Sequence, residues 1–166
     1  MPRRILVVGA TRVLRPAVLR LADDGWRVVA VARTGDELER LADERRGSIA
    51  PLAADRTRTK ELRARLTSAG TLDAALVYAP GAPAALLAVL RRAVSGPVVQ
   101  LLTSAAAAPD GLMPAAPAQP WHQVVLGWRD GRWHTPEEVS AAALTALAEE
   151  RDVVLGAVRP WAERPQ

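Results

Sequence analysis

The chain has 166 residues, of which 49% are hydrophobic and 24% are charged. This length and balance are typical of one globular domain with its own core, so we expect a single domain over residues 1–166. Cysteine is absent, which excludes a disulfide scaffold, a thiol nucleophile and cysteine-based metal sites. No apolar run reaches the roughly 18 residues of a membrane span and no secretory signal is recognisable, so we expect a soluble cytoplasmic protein.

The formal net charge of +4 comes almost entirely from arginine, because Lys60 is the only lysine. The arginines alternate with Asp and Glu and form no basic block. Nucleic-acid-binding proteins usually concentrate positive charge on one face and carry a recognisable motif. We therefore expect no nucleic-acid partner and no membrane partner. The frequent Ala and Arg residues are typical of a GC-rich bacterial genome.

Short apolar runs alternate with amphipathic helical segments through the first hundred residues. Runs that are apolar on both faces are typical of strands in a parallel sheet covered by helices. The apolar runs cover residues 5–8, 28–32, 49–54, 74–78 and 98–102, and the helical segments cover 16–24, 35–44, 57–69 and 83–94. This order predicts an α/β fold with a single Rossmann-like, doubly wound parallel sheet of about seven strands flanked by helices.

The Pro/Ala-rich stretch 105–120 interrupts the alternation. It contains four prolines, which exclude a long helix, and a loop of this length is typical of a lid, a binding loop or a disordered segment. A sixth strand is predicted over 122–126, and the Asp-Gly pair at 130–131 predicts a tight turn. Thr135 and Glu138 have the spacing of a capping box, which starts a helix that runs to about residue 150. Residues 153–156 complete the predicted sheet.

The turn after the first strand is the first candidate for a functional site. Gly9-Ala10-Thr11-Arg12 lies between a strand and a helix. In that context backbone amides and the helix N-terminus can approach a pyrophosphate. Only one glycine is present, however, where such fingerprints usually have three.

Two segments of the chain, ILVVGAT at 5–11 and DGWRVVAVAR at 24–33, resemble the short-chain dehydrogenase/reductase superfamily. The C-terminal part, from QVVLGW at 123–128 to RPW at 159–161, looks like a small atypical branch of that superfamily. The resemblance covers nearly the whole chain. It implies a Rossmann fold and a nicotinamide cofactor.

By this resemblance the cofactor-binding residues are Gly9, Thr11, Arg12, Arg33, Asp55 and Tyr78. Gly9 would form the turn beneath the pyrophosphate, and Asp55 would lie near the adenine. Arg33 stands where NADP-preferring relatives place an arginine on the 2′-phosphate, and a guanidinium pairs with phosphate as a bidentate fork. Ser104 stands where the family has its substrate-orienting serine. The implied cofactor is NADP(H). The alternative that the protein binds no cofactor is left open.

The chain also departs from the family pattern. Arg15 occupies the position of the last glycine, and either Arg12 or Val13 occupies the middle one, where bulk can obstruct a dinucleotide. The family's catalytic Tyr-x-x-x-Lys pair cannot exist, because Tyr78 is the only tyrosine and Lys60 lies on a different predicted element. The resemblance is therefore to an atypical branch that lacks this pair.

His122 and Ser104 are the catalytic candidates. An unperturbed histidine titrates near neutrality, which suits acid–base chemistry, and His122 directly follows the 105–120 loop. Ser104 lies at the carboxyl edge of the sheet, where open α/β folds bind ligands. The candidate substrate-pocket residues are Thr103, Trp121, Trp128 and His134. His134 also precedes the predicted helix cap, which favours a structural role, and core packing is the default for at least two of the tryptophans.

These observations leave three hypotheses of function. The first is an atypical short-chain dehydrogenase/reductase-like enzyme that acts on a small organic molecule with NADP(H) and takes its proton from His122 or water. The second is a redox-inactive, cofactor-independent isomerase, cyclase or dehydratase of a biosynthetic pathway. The third is a non-catalytic nucleotide-sensing or scaffold protein. A homodimer is expected, because homodimers are common among proteins that the chain resembles.

Overall fold

A computed structural model describes residues 1–111, 116 and 119–166 of the chain. The strands of the main sheet are β1 (Arg4–Val8), β2 (Arg27–Ala32), β3 (Ile49–Ala53), β4 (Ala74–Tyr78), β5 (Val98–Leu102), β6 (Trp121–Leu126) and β9 (Val153–Leu155). They lie in the order β3-β2-β1-β4-β5-β6-β9, and every neighbouring pair is parallel. The predicted doubly wound sheet of seven strands is confirmed.

Helices cover both faces of this sheet. They are α1 (Arg15–Asp23), α2 (Gly35–Glu44), α3 (Thr59–Ala69), α4 (Ala84–Ala93) and α5 (Pro136–Glu149). Side chains alternate between the faces along each strand, so Ile5 and Val7 of β1 pack with α1, α2 and α5. Leu6 and Val8 pack on the opposite face with α3 and α4. Two apolar layers therefore sandwich the sheet, which explains why its strands are apolar throughout.

Several element boundaries differ from the sequence prediction. Helix α3 begins at Thr59 and not at residue 57, because Asp55 accepts hydrogen bonds from Thr57 and folds that segment into a turn. Strand β5 ends at Leu102, as the apolar run 98–102 predicts, and Ser104 opens a short 3-10 helix (Ser104–Ala107).

The predicted Asp-Gly turn is confirmed as the hairpin between β7 (Trp128–Arg129) and β8 (Arg132–Trp133). Asp130 and Gly131 have φ angles of 50° and 72°, the left-handed pair that a two-residue hairpin requires. The capping box of α5 is also confirmed: Thr135 Oγ1 accepts from the Glu138 backbone N–H, and a Glu138 carboxylate oxygen accepts from the Thr135 N–H.

The 105–120 stretch is described only in part. Its first residues belong to the 3-10 helix, and residues 112–115 and 117–118 lie outside the described residues. Helices α1 and α5 pack side by side, and Ser140 of α5 donates a hydrogen bond of 2.8 Å to the carbonyl oxygen of Val13, just before α1. Within the described ranges, no helix has both the length and the apolarity to cross a membrane.

Candidate functional site

The β1–α1 turn lies at the point where the connections of the sheet diverge. From β1 the chain proceeds to β2 on one side, and from β4 it proceeds to β5 on the other. Helices on opposite faces leave a crevice outside the carboxyl ends of two such strands, and open α/β sheets bind their ligands there. Gly9 follows β1 at this point, and Tyr78 ends β4 beside it.

Gly9 closes the turn against β4. Its φ angle is +83°, and a Cβ atom at this position would lie 2.6 Å from the carbonyl oxygen of Tyr78. The backbone N–H groups of Gly9 and Ala10 both donate to the carbonyl oxygen of Val31, at 3.0 and 3.2 Å. The turn therefore bridges β2 and β4, and only glycine has both the conformation and the space for it.

An open cleft of about 300 Å³ lies over this turn. It is lined by residues that follow β1, β2, β3 and β4, with the first turn of α2 at its side. The lining residues are Val8, Gly9, Thr11, Arg12, Val31, Ala32, Arg33, Thr34, Glu37, Ala54, Arg56 and Tyr78. The structure thus brings together five of the six residues expected to bind a cofactor: Gly9, Thr11, Arg12, Arg33 and Tyr78.

Asp55 is the sixth expected residue, and it does not line this cleft, although its neighbours Ala54 and Arg56 do. Its carboxylate accepts hydrogen bonds from the Thr57 hydroxyl at 2.7 Å and the Thr57 backbone N–H at 2.8 Å. These bonds, and more weakly the charge of Arg33, hold the pKa of Asp55 below its usual value. The ionised carboxylate therefore shapes the turn after β3.

The bulky residues of the β1–α1 turn leave the cleft open. Arg15 forms an ion pair with Glu44 on α2, so its guanidinium is held against a helix. The side chain of Arg12 is 81% exposed, and one of its nitrogen atoms lies 4.0 Å from a carboxylate oxygen of Glu37. Arg12 and Arg15, which the resemblance places at or beside glycine positions of the family motif, therefore do not obstruct the cleft.

Arg56 is a site residue that the sequence analysis missed. It is half-buried in the wall of the cleft, and its guanidinium donates a hydrogen bond of 3.0 Å to the carbonyl oxygen of Pro80. Together with Arg12 and Arg33 it makes three arginines that line the cleft, against one acidic residue, Glu37, among the described lining residues. The cleft is therefore a cationic environment suited to phosphate. Its position just beyond β3, at the carboxyl edge of the sheet, was the available signal.

Thr103 and Ser104 follow β5 at the same edge of the sheet. Thr103 lines a second, mostly apolar cavity of about 250 Å³, whose other walls come from residues 79–82, 87, 100–102 and 105–106. Ser104 is 9% exposed at the start of its 3-10 helix. Because Ala79 directly follows Tyr78, this cavity continues along the sheet edge from the arginine-lined cleft.

His122 lies at the opposite end of the sheet from Ser104. It is the second residue of β6 and pairs in register with Val99, near the start of β5. Ser104 comes five residues after Val99, which corresponds to on the order of 15 Å along a strand. The structure therefore does not bring the two catalytic candidates together around one small substrate. The Nε2 atom of His122 is buried without a hydrogen-bond partner among the described residues.

Trp121 is likewise placed away from the candidate pocket. Its side chain is 1% exposed within the apolar layer of α3 and α4, and its indole N–H donates to Gln100 Oε1 at 3.1 Å. It pairs with Val98 at the amino end of β5. Trp121 is thus a core residue in this structure, in line with the default expectation of packing.

Trp128 and His134 lie beyond the carboxyl end of β6. The Trp128 ring contacts Trp133 and Trp161 edge-on, with centroid distances of 5.9 and 6.1 Å. Trp128 also lines a third cavity of about 620 Å³, and no lining residue is shared between this cavity and the arginine-lined cleft. These aromatic contacts bind the hairpin to the C-terminal segment.

The side chain of His134 is 2% exposed and lies 3.1 Å through Nδ1 from a carboxylate oxygen of Glu138. Its Nε2 atom faces Gly156 and has no hydrogen-bond partner among the described residues. Hydrogen bonds from Arg132, the Thr135 backbone and His134 hold the pKa of Glu138 far below its usual value. His134 thus joins the start of α5 to the segment after β9, which supports the structural alternative for this residue.

No group of three or more potential metal ligands occurs among the described His, Asp and Glu residues. The chain has no cysteine.

No family model and no curated protein matches this chain. Among solved structures, an oxidoreductase of the short-chain dehydrogenase/reductase family from Burkholderia thailandensis superposes with a TM-score of 0.68 at 19% identity, covering 94% of this chain and 92% of its own. A short-chain dehydrogenase from Streptomyces avermitilis gives a TM-score of 0.73 at 15% identity, with coverages of 94% and 89%. YwfH, an NADPH-dependent reductase involved in bacilysin biosynthesis, gives 0.70 at 15%, with coverages of 95% and 100%. Likeness at such identities establishes the fold.

Proposed function

We propose that this chain is an atypical short-chain dehydrogenase/reductase-like oxidoreductase that binds NADP(H) in the arginine-lined cleft and acts on a small organic molecule. The observation that carries the proposal is the cleft itself. The cleft lies where the sheet connections diverge, and three arginines line it. At its base Gly9 packs against the backbone of Tyr78. The structural likeness to reductases of this fold, including one described as NADPH-dependent, supports it.

The residues present fit a phosphorylated dinucleotide. Gly9 has no Cβ and lets the turn lie directly on β4, which leaves the space above it for a pyrophosphate beside Thr11 and Arg12. Arg33 would bind the phosphate on the adenosine ribose, since a guanidinium pairs with phosphate through two parallel hydrogen bonds. Tyr78 would line the cofactor where β4 ends, and Asp55 would hold the turn that carries the adenine-side wall.

The substrate would occupy the cavity lined by Thr103, the residue before Ser104, at the same edge of the sheet. A nicotinamide cofactor, when bound, supplies a hydride. The hydroxyl groups of Thr103 and Ser104 would hold the oxygen of a carbonyl substrate, which gains the hydride at carbon and a proton at oxygen. The chain has no Tyr-x-x-x-Lys pair, since its one tyrosine and one lysine lie on β4 and α3. His122 lies at the other end of the sheet, so we assign the proton to water.

The remaining expectations belong to the same proposal. We propose a single domain over residues 1–166 that acts in the cytoplasm as a homodimer. Its partner is a small-molecule substrate, and neither a nucleic acid nor a membrane. We propose no metal cofactor.

Direct titration of the purified protein with NADPH and NADH tests the proposal. We expect NADPH to bind more tightly than NADH, and Arg33→Gln to weaken NADPH binding about tenfold or more, because it removes charged hydrogen bonds to a phosphate. Arg46→Gln is the matched control, since Arg46 is exposed and paired with Asp43 on α2, outside the cleft. Isothermal titration calorimetry measures each affinity.

Turnover is then tested with NADPH and a panel of carbonyl compounds. Oxidation of NADPH that depends on both the protein and a carbonyl compound supports the oxidoreductase. Binding without turnover of any compound would favour the nucleotide-sensing or scaffold hypothesis instead. If neither nucleotide binds, the cofactor proposal is refuted and a cofactor-independent isomerase, cyclase or dehydratase becomes the better hypothesis.

A further inference from the structure

We infer that Arg56 is a specificity-determining residue of the cleft. Arg56 and Arg33 would together bind the phosphate group on the adenosine ribose of a nucleotide. The inference rests on the proposed nucleotide site. The inference adds a residue that makes binding depend on the ribose phosphate. The supporting observations are the register of β2 and β3, the fixed position of Arg56 and the charges around it.

The register of β2 and β3 brings the two arginines to the same wall of the cleft. Ala32 and Ala53 are partners in this strand pair, and the Ala54 N–H donates to the Ala32 carbonyl oxygen at 3.0 Å. Arg33 comes one residue after Ala32, and Arg56 comes three residues after Ala53. Neighbouring strands lie only about 4.8 Å apart, and both arginines line the cleft.

Arg56 is held in place and keeps most of its hydrogen-bonding capacity. One of its terminal nitrogens donates to the Pro80 carbonyl oxygen at 3.0 Å. A guanidinium has five N–H donors in a rigid fork, so the remaining donors can still meet two oxygens of one phosphate. A side chain already oriented by a backbone carbonyl loses less conformational entropy when it binds a ligand.

The charges near Arg56 leave it available to an anion. Among the described residues, neither Arg33 nor Arg56 has a carboxylate within ion-pair distance. Asp55 is the neighbouring acid, but both Thr57 donors engage its carboxylate. Glu37 also borders the cleft, and its carboxylate lies 4.0 Å from Arg12. Two arginines that form no ion pair within 4.0 Å among the described residues therefore line the same cleft, although the Asp55 carboxylate lies close enough to interact with Arg33.

Affinities for NADPH, NADH and adenosine 2′,5′-bisphosphate, measured for the wild type and three variants, test this role. Arg56→Gln should weaken NADPH and the bisphosphate about tenfold and NADH less than twofold, because only the first two carry the ribose phosphate. Arg56→Lys keeps one charge without the fork, so we expect an intermediate loss. Arg58→Gln is the matched control, since Arg58 is exposed, pairs with Glu61 at 3.7 Å and does not line the cleft.

The outcomes separate this inference from the proposed function. If the wild type binds NADPH but Arg56→Gln keeps the wild-type ratio of NADPH to NADH affinity, Arg56 is not a determinant, and the proposed function stands. An equal weakening of both dinucleotides would place Arg56 on the pyrophosphate and overturn the inference as well. If the wild type binds none of the three nucleotides, the proposed function fails together with the inference. A melting curve of each variant shows whether the loss of the Pro80 bond unfolds it, in which case Arg56→Lys decides.

Discussion

Gly9 combines a left-handed backbone with a neighbour at contact distance, so two separate physical effects restrict this position to glycine. The φ angle of +83° strains any residue with a Cβ, and that Cβ would overlap the Tyr78 carbonyl oxygen. Gly25 shares the first property but not the second. Its φ angle is +91°, and nothing lies within 4 Å of the added Cβ position. Comparing substitutions at Gly9 and Gly25 therefore separates the cost of the backbone conformation from the cost of the steric overlap.

We predict that Gly9→Ala destabilises the protein more than Gly25→Ala. The shared backbone strain costs about 1–2 kcal/mol, and the overlap at Gly9 adds about 1–3 kcal/mol. Urea denaturation followed by circular dichroism measures both differences in free energy of unfolding. Equal destabilisation by the two substitutions would show that the turn moves away from β4 without cost.

For single residues, the sequence predicted at which edge of the sheet a residue lies better than it predicted which side chains are in contact. Gly9 and Arg33 directly follow apolar runs and Tyr78 ends one, and in a parallel sheet such residues must meet at one edge. Arg56 follows the run 49–54 by two residues, which places it near the same edge, but the sequence does not show that the turn at Asp55 brings it into the wall of the cleft. The position of His122 followed from the same topology, because a residue at the start of a parallel strand lies at the amino edge, far from Ser104.

Among the helices, α5 has the most elaborate start. The Glu138 carboxylate accepts hydrogen bonds from Arg132 at 3.0 and 3.1 Å and from the Thr135 N–H at 2.9 Å, and it also contacts His134. Arg132 first, and then the other groups, favour the ionised form and lower its pKa. This carboxylate therefore ties the β7–β8 hairpin to the helix.

We predict that Glu138→Gln destabilises the protein at neutral pH and that the difference from the wild type shrinks in acid. A carboxyl group whose pKa is lowered by folding stabilises the folded state above its unfolded pKa, about 4.5, and this contribution is lost as the pH falls below that value. Glutamine keeps an acceptor for the Thr135 N–H, so the variant isolates the charge. Urea midpoints between pH 7 and pH 3 provide the measurement.

Glu137→Gln is the control for this experiment. Glu137 is exposed in the same first turn of α5 and has no ion pair among the described residues. Its substitution should change the urea midpoint little at any pH. A Glu138→Gln difference that stays constant down to pH 3 would contradict an ionic role for this carboxylate.

The elements themselves were largely predictable, because they depend on local pattern. Helix α2 was predicted at Gly35–Glu44 without error, and the capping box and the Asp-Gly hairpin were also predicted. The start of α3 was not, since Thr57 is a reasonable first helical residue until the Asp55 side chain captures its N–H. Strand β5 was predicted at 98–102 and lies at Val98–Leu102.

For the whole molecule, the decisive packing joins the two ends of the chain. The hydroxyl of Ser140 on α5 donates to the Val13 carbonyl, 127 residues earlier, and Ser140 is 2% exposed. Val13 belongs to the turn that borders the cleft with Thr11 and Arg12. The C-terminal third therefore supports the β1–α1 turn. The sequence could predict the layers but not this bond, since it depends on which face of α5 meets α1.

We predict that Ser140→Ala destabilises the protein by about 1 kcal/mol, because it leaves the Val13 carbonyl without its donor in a buried place. It should also weaken NADPH binding, since the turn is then held less firmly. Ser68→Ala is the control, because Ser68 is exposed and its hydroxyl donates to the Ala64 carbonyl within α3. Urea denaturation and calorimetric titration measure the two effects. Unchanged stability together with unchanged affinity would show that α5 does not support the turn.

The same long-range packing bears on how the protein is made. During synthesis β1 to β5 leave the ribosome before α5, so α1 and one face of β5 still lack the α5 side chains that pack on them, and Val13 is still without Ser140. The nascent chain must therefore carry exposed aliphatic surface until α5 has emerged. A chain cut at the proline-rich stretch would expose the contacts of α5 on one fragment and the apolar residues of α5 on the other.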